Sequence, residues 1–326
     1  MKKILVILGP TATGKTDLAL VLAKKFNGEL IACDSRQVYI GLDIGTGKMP
    51  SKKLPIKKVS RFWEINGIRI WMYDVVSPNT QYSVANYVKE ATLVIEGVLS
   101  RKKLPIVVGG TGLYLKSLLE GLSNLAVPVD LNLRNELDQL TVDKLQQKLK
   151  KLSPKRWHTM NQSDRQNNRR LIRSIELVTM YGYMETNKKY DGLIKKFKVL
   201  KIGLTAPREV LYKRVDLRVL SRIDQGMIEE AISLYKNGLT LKRMRKLGLE
   251  YRVLADYLDG KIQTVDELIK IMQGKIHGYL RRQLTWFNKE KDIHWFDLTD
   301  DQSMPEIEKL IIKWYDNARI DDVSQN

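Results

Sequence analysis

Short aliphatic, β-branched runs recur along this chain and alternate with longer stretches of helical spacing. Residues 3–8 (KILVIL), 29–34 (ELIACD), 68–76 (IRIWMYDVV), 104–110 (LPIVVGG) and 198–206 (KVLKIGLTA) read as strands. The stretch LALVLAKKF after the first strand has helical spacing. Residues 82–102 predict a long amphipathic helix, because Val84, Tyr87, Val88, Ala91, Val94, Ile95 and Val98 share one face. Strands alternating with helices imply a parallel sheet with helices on both faces. After residue 206 the pattern is mainly helical, and DIHWFDL (residues 292–298) predicts a short closing strand.

Between residues 125 and 197 the pattern turns polar, helical and basic. Residues 141–200 hold 15 Lys and Arg against 5 Asp and Glu. A strand pattern returns at Lys198, so an insertion explains the break better than two consecutive domains. The whole chain of 326 residues has 56 Lys and Arg against 37 Asp and Glu, a formal net charge of +19. Such an excess points to a polyanionic partner, above all nucleic acid. A single cysteine, Cys33, excludes an internal disulfide framework, and with three histidines it argues against a zinc site. The apolar run after MKK is too short for a signal segment, and no stretch has transmembrane length. A cytoplasmic protein with no membrane partner is expected, with a monomer as the simplest assembly.

Chemistry enters at GPTATGKT: Gly9, Pro10, Thr11, Ala12, Thr13, Gly14, Lys15 and Thr16. The spacing is that of a phosphate-cradling loop between a strand and a helix. Glycines let the backbone wrap an anion, Lys15 adds a mobile charge, and the Thr16 hydroxyl can hold Mg²⁺. The fold expected is α/β: a P-loop NTPase-like parallel sheet flanked by helices, residues 1–124 and 198–326, with an inserted all-helical domain, residues 125–197. The loop alone does not say whose phosphate it holds. P-loop NTPases carry a second apolar strand ending in Asp. Here that strand ends PIVVGGTGLY, with glycines and Thr111 in its place, while Asp34 ends a different strand. Asp34 there reads as a metal ligand, a general base or a helix cap. In DIGTGKMP, Lys48 and the glycines are able to approach a second anion.

Four segments in this order and spacing, GPTATGKT, DSRQVY, DIGTGK and VGGTGLYL, resemble the tRNA dimethylallyltransferases, also called tRNA isopentenyltransferases. The likeness continues through NRRLIRSIE, LTAPREVLYKRVDLRV and RRQLTWF, to about residue 297. The resemblance implies transfer of a five-carbon prenyl group from dimethylallyl diphosphate to N6 of the adenosine 3′ of the anticodon, with Mg²⁺ as cofactor. It implies Asp34 as base, Thr111 against the target nucleotide, and Arg218 near the diphosphate beside Lys15. The inserted basic domain is then a tRNA-contacting one. The RNA path would take in Asp34, Ser35, Arg36, Gln37, Thr111, Arg134, Arg169, Arg170, Arg173, Arg252, Arg281, Arg282 and Gln283 of the anticodon stem-loop's partner surface. Independently of the family, Arg169, Arg170 and Arg173 fall on roughly one helix face, suited to phosphates. Tyr279, Trp286 and Phe287 beside Arg281 and Arg282 suit either base stacking or core packing.

Two departures stand out. GTGK, with Gly47, replaces the expected GTAK, and in GLEYR Glu250 replaces a glycine. Rival functions are an ATP-dependent small-molecule kinase and an adenylate isopentenyltransferase acting on free nucleotides. Neither needs a large basic insertion. A non-catalytic RNA-binding protein would not need Lys15, Thr16, Asp34 and Thr111.

Overall fold

The computed structural model describes residues 2–51, 53–122, 124, 127–182 and 192–323. The chain divides into two compact units: Met1–Glu120 with Gly192–Asn326, and Gly121–Asp191. Among the described residues no helix is long and apolar enough to cross a membrane.

The first unit is built on one eight-stranded sheet. Its strands are β1 (Lys3–Leu8), β2 (Gly28–Ala32), β3 (Ile56–Val59), β4 (Phe62–Ile65), β5 (Ile68–Trp71), β6 (Leu104–Gly109), β7 (Lys198–Thr205) and β8 (His294–Asp297). Their spatial order is β3-β4-β5-β2-β6-β1-β7-β8. From β5 to β8 every neighbouring pair is parallel. The β3–β4 and β4–β5 pairs are antiparallel. The sheet is therefore parallel as the strand–helix alternation implies, with an antiparallel extension at one edge that the pattern does not announce. The strand expected at residues 68–76 stops at Trp71, because Met72 and Asp74 take positive φ of 70° and 52°. Every residue of β2 and β6 is buried in succession, which requires cover on both faces.

Three helices follow strands here: α1 (Lys15–Lys25), α2 (Val84–Ser100) and α3 (Gly112–Leu119). Helix α2 opens on a reciprocal cap between Ser83 and Asn86, and buries Tyr87, Val88, Ala91, Ile95 and Val98 of its expected face. Because β1, β2 and β6 are parallel neighbours, their C-terminal ends share one edge of the sheet. That edge carries the phosphate-type loop, Asp34 and Thr111, the position where open α/β sheets bind ligands.

The second unit is helical: α4 (Leu131–Leu137), α5 (Val142–Leu152), α6 (Pro154–Thr159), α7 (Gln162–Arg165) and α8 (Asn168–Tyr181). Asp130, Thr141, Ser153, Asn161 and Asn167 each cap one of these helices with a side-chain oxygen. Such caps are worth about 1 kcal/mol each, which matters for a unit whose core is small. That core gathers Leu137, Leu145, Leu149, Met160, Leu171, Ile172 and Ile175.

After β7 the first unit resumes with α9 (Arg208–Asp224), α10 (Met227–Lys236), α11 (Leu241–Met244), α12 (Leu249–Leu258), α13 (Val265–Phe287) and α14 (Ser303–Val323). Apolar residues of α9, α10, α12 and α13 form a second core with Val38, Tyr39 and Leu42. The segment after β2 is thereby pinned between sheet and helices, which fixes Asp34 and its neighbours.

Candidate active site

The loop of residues 9–16 turns through positive φ at Gly9 (142°), Ala12 (66°) and Gly14 (67°). A Cβ on Gly9 would stand 2.3 Å from the Leu204 carbonyl oxygen of β7, so only glycine fits there. The Thr13 hydroxyl donates to the Pro10 carbonyl at 2.9 Å. Lys15 Nζ donates to the same carbonyl at 2.5 Å and to Thr13 Oγ1 at 3.3 Å. Loss of water around this ammonium, then the nearby Arg218 guanidinium, push Lys15 down to about 7 against the pull of Asp34. Arg218, on α9, has no hydrogen bond or ion pair to any described residue. Arg222, one turn on, and then burial push Arg218 down to about 9. Three cations thus converge with too little negative charge between them. That is the electrostatic signature of an anion receptor.

Asp34 lies just past β2 and Thr111 just past β6. Asp34 Oδ1 accepts the Arg36 backbone N–H at 2.7 Å, and its Oδ2 accepts from Thr111 Oγ1 at 3.4 Å. Thr111 Oγ1 in turn accepts the Ser35 N–H at 3.4 Å. One carboxylate oxygen therefore holds a turn, and the other faces the threonine across the strand ends. Tyr279 of α13 joins them. Burial, then the charge of Asp34, raise its phenol. Spacing within one helix marks Tyr279 only as an aromatic beside basic residues and cannot show that it lies near enough to feel the charge of Asp34.

Helix α13 also explains the glycines of VGGTGLY. A Cβ on Gly110 would stand 2.7 Å from Gln283 Nε2, and one on Gly112 2.4 Å from the Trp286 ring. These glycines are openings that admit two α13 side chains. Gln283, expected on the RNA path, is instead buried, with 6% of its surface exposed. Its Oε1 accepts the Thr11 N–H and its Nε2 donates to the Gly110 carbonyl, both at 2.9 Å. It ties the loop to the strand end that carries Thr111. Trp286 packs on Gly112 and against Phe287, the core-packing alternative for that residue. Gln283→Leu leaves the buried Gly110 carbonyl and the part-buried Thr11 N–H without this partner, at about 1–3 kcal/mol. The variant is expected to melt lower and to bind inorganic pyrophosphate more weakly, read by calorimetry; wild-type affinity would remove the brace.

The remaining expected RNA contacts have mixed environments. Gln37 donates its amide to the Thr46 and Gly47 carbonyls, both at 3.3 Å. Arg36 lies against Gly248, whose φ is 137°. Arg252, Arg281 and Arg282 are exposed, Arg252 donating to the Arg245 carbonyl and Arg282 lying over the Tyr279 ring. Within the second unit, Arg169 and Arg170 are exposed, and Arg170 pairs with Asp164. Arg134 and Arg173 turn inward instead. Both clamp the fully buried Glu176, and Arg173 also donates to the carbonyls of Asn124 and Val127. A buried carboxylate needs such partners, so these two arginines hold the unit together. Lys48 is likewise buried. It pairs with Asp43 and Asp74 and donates to the Tyr39 carbonyl, rather than approaching a second anion.

Fold and site together define an α/β enzyme of P-loop type with a cation cluster beside a carboxylate. A family model described as IPP transferase matches residues 37–290. The chain belongs to that family, the tRNA dimethylallyltransferases. It is 37% identical over 299 residues to the tRNA dimethylallyltransferase of Pelotomaculum thermopropionicum, across 90% of each chain. It is 34% identical to that of Halalkalibacterium halodurans, across 95% of this chain and 96% of the relative. Among solved structures it resembles the full-length tRNA isopentenylpyrophosphate transferase of Bacillus halodurans, at TM-score 0.68 and 32% identity, covering 99% and 100% of the two chains. A eukaryotic dimethylallyltransferase acting on tRNA matches at TM-score 0.76 and 25% identity, covering 99% of this chain and 80% of that one.

Proposed function

We propose that this protein transfers the dimethylallyl group of dimethylallyl diphosphate to N6 of the adenosine 3′-adjacent to the anticodon in tRNA, releasing diphosphate. The observation that carries the reading is the meeting of Asp34 with an under-neutralised cation cluster at one edge of the sheet. An allylic C–O bond breaks with carbocation character, and its electron pair leaves with the diphosphate. Lys15, Arg218 and the loop N–H groups stabilise that growing charge. The adenine N6 lone pair, weakened by delocalisation into the ring, forms the new C–N bond while Asp34 accepts the N6 proton. Thr111 holds the second oxygen of Asp34 and lies where the nucleotide enters. The adenine must leave its stack to reach this point.

Among the described residues no three acidic, histidine or cysteine side chains gather as a metal cage. The Thr16 hydroxyl at the start of α1 suits Mg²⁺, which keeps waters and takes much of its coordination from substrate phosphates. When bound, Mg²⁺ neutralises part of the diphosphate charge. The exposed Lys144, Lys148, Lys151, Arg169 and Arg170 give the second unit a basic surface suited to tRNA phosphates. We place the reaction in the cytoplasm and assign it to a monomer, the simplest assembly.

The test is label transfer. Labelled dimethylallyl diphosphate and Mg²⁺ are incubated with bulk tRNA and, in parallel, with AMP, ADP and ATP. Label mapped to the adenosine beside the anticodon is the expected result. Label only in a free nucleotide would support an adenylate isopentenyltransferase, and ATP consumption without prenyl transfer would support a kinase.

A further inference from the structure

We propose that Arg222 is a second guanidinium of the diphosphate site, seated beside Arg218 in an opening left by Gly47 and tethered by Glu250 until the anion arrives. The proposal rests on the donor reading above. Gly47 and Glu250 both depart from the family pattern, and in the folded chain both face the same guanidinium. A Cβ on Gly47, whose φ is 69°, would stand 2.1 Å from Arg222 Nη2 and 2.3 Å from Arg218 Nη2. The two guanidinium groups therefore flank one glycine.

Arg222 is held in place but weakly neutralised. Its Nη1 donates to the Gly45 carbonyl at 3.1 Å, while Glu250 Oε1 lies 3.7 Å away, beyond hydrogen-bond range. The Gly45 anchor is itself rigid. The Glu230 carboxylate accepts the N–H groups of Asp43, Ile44 and Gly45 at 2.9, 2.8 and 3.1 Å, together with the Tyr251 hydroxyl. Among the described residues the Gly45 carbonyl is the only hydrogen-bond acceptor Arg222 has. Its side chain is 10% exposed. Two adjacent, largely dehydrated guanidinium groups repel each other, consistent with Arg222 being the main cause of the lowered Arg218 pKa. A diphosphate, with several anionic oxygens spread over two phosphorus centres, relieves that repulsion and can accept from both forks. A monophosphate offers one centre and gains less.

Calorimetric titration of the full chain with inorganic pyrophosphate and, separately, inorganic phosphate tests this. Arg222→Met is expected to weaken pyrophosphate about tenfold and phosphate little, with Arg222→Lys recovering part of the loss. Glu250→Gln is expected to tighten pyrophosphate, because the competing carboxylate is gone. If Arg222 only braces the turn at residues 43–47, Arg222→Met and Glu250→Gln shift both anions alike and in the same direction, and the proposal fails. Should Arg222→Met not fold, Glu250→Gln decides: unchanged or weaker binding overturns it. Lys15→Ala separates the two readings. If it abolishes pyrophosphate binding while Arg222→Met does not alter it, the donor site stands without Arg222. If Lys15→Ala binds normally, the donor reading itself falls.

Discussion

Asp34→Asn is expected to lower prenyl transfer to tRNA by roughly 10²–10⁴-fold, the range of a lost general base. Affinity for tRNA and for pyrophosphate should stay near wild type. The substitution keeps an oxygen for the Arg36 N–H, bonded at 2.7 Å, so the turn after β2 survives. What it removes is the charge on the carboxylate, whose second oxygen faces Thr111. N6 of adenine is barely basic, and its proton becomes acidic only as the C–N bond forms. A carboxylate placed there acts in the transition state and little in the ground state. Single-turnover transfer under saturating substrates is the measurement. Near-normal turnover by Asp34→Asn would remove Asp34 as the base.

Lys48→Met is expected to destabilise the fold by about 3–5 kcal/mol, the cost of stripping a buried charge of its partner. The Lys48 side chain is fully buried, with Nζ 2.9 Å from Asp43, 2.5 Å from Asp74 and 2.7 Å from the Tyr39 carbonyl. The rings of Trp63 and Tyr73 lie beside it, and Asp74 also accepts from Trp63 Nε1. Among the described residues, without the ammonium Asp74 keeps only the indole and Asp43 only the half-exposed Lys58. The sign with pH is fixed by Asp43. Burial opposes its ionisation, but Lys48 and Lys58 outweigh that and hold its carboxyl below the usual range. Its share of stability is present above the unfolded pKa and is lost as pH falls through the folded one. The gap between wild type and Lys48→Met should therefore narrow in acid. Denaturant melts at neutral and acidic pH measure it; a constant gap would mean that packing, not charge, holds Lys48.

The two charged residues illustrate what a linear pattern can and cannot carry. Buried parallel strands are legible because burial on both faces leaves a nearly continuous apolar run, unbroken in β6 and interrupted in β2 only by Glu29, which is paired with Arg101 and Lys103. The β3–β4 hairpin is not, since IKKV is exposed at its centre and each strand has only four residues. The loop, Asp34 and Thr111 were legible because local spacing and family motifs name them. Lys48, Gln283, Arg134 and Arg173 read as anion or RNA contacts because nothing local names the partners that hold them within the fold. For Arg134 and Gln283 the partner lies far away in sequence: 42 positions separate Arg134 from Glu176, and 272 separate Gln283 from Thr11. Arg222 is illegible for the same reason, since its Gly45 acceptor lies 177 positions away.

The openings at Gly110 and Gly112 have a consequence for synthesis. The phosphate loop leaves a ribosome long before Gln283 and Trp286, which complete its surroundings. Central strand β1 must also wait for β7, whose residues follow the whole second unit. A nascent chain therefore emerges with its anion site open and its central strand half paired, and closes both late. Chains ending before α13 would carry every residue of the loop and still lack the side chain that joins it to Thr111's strand.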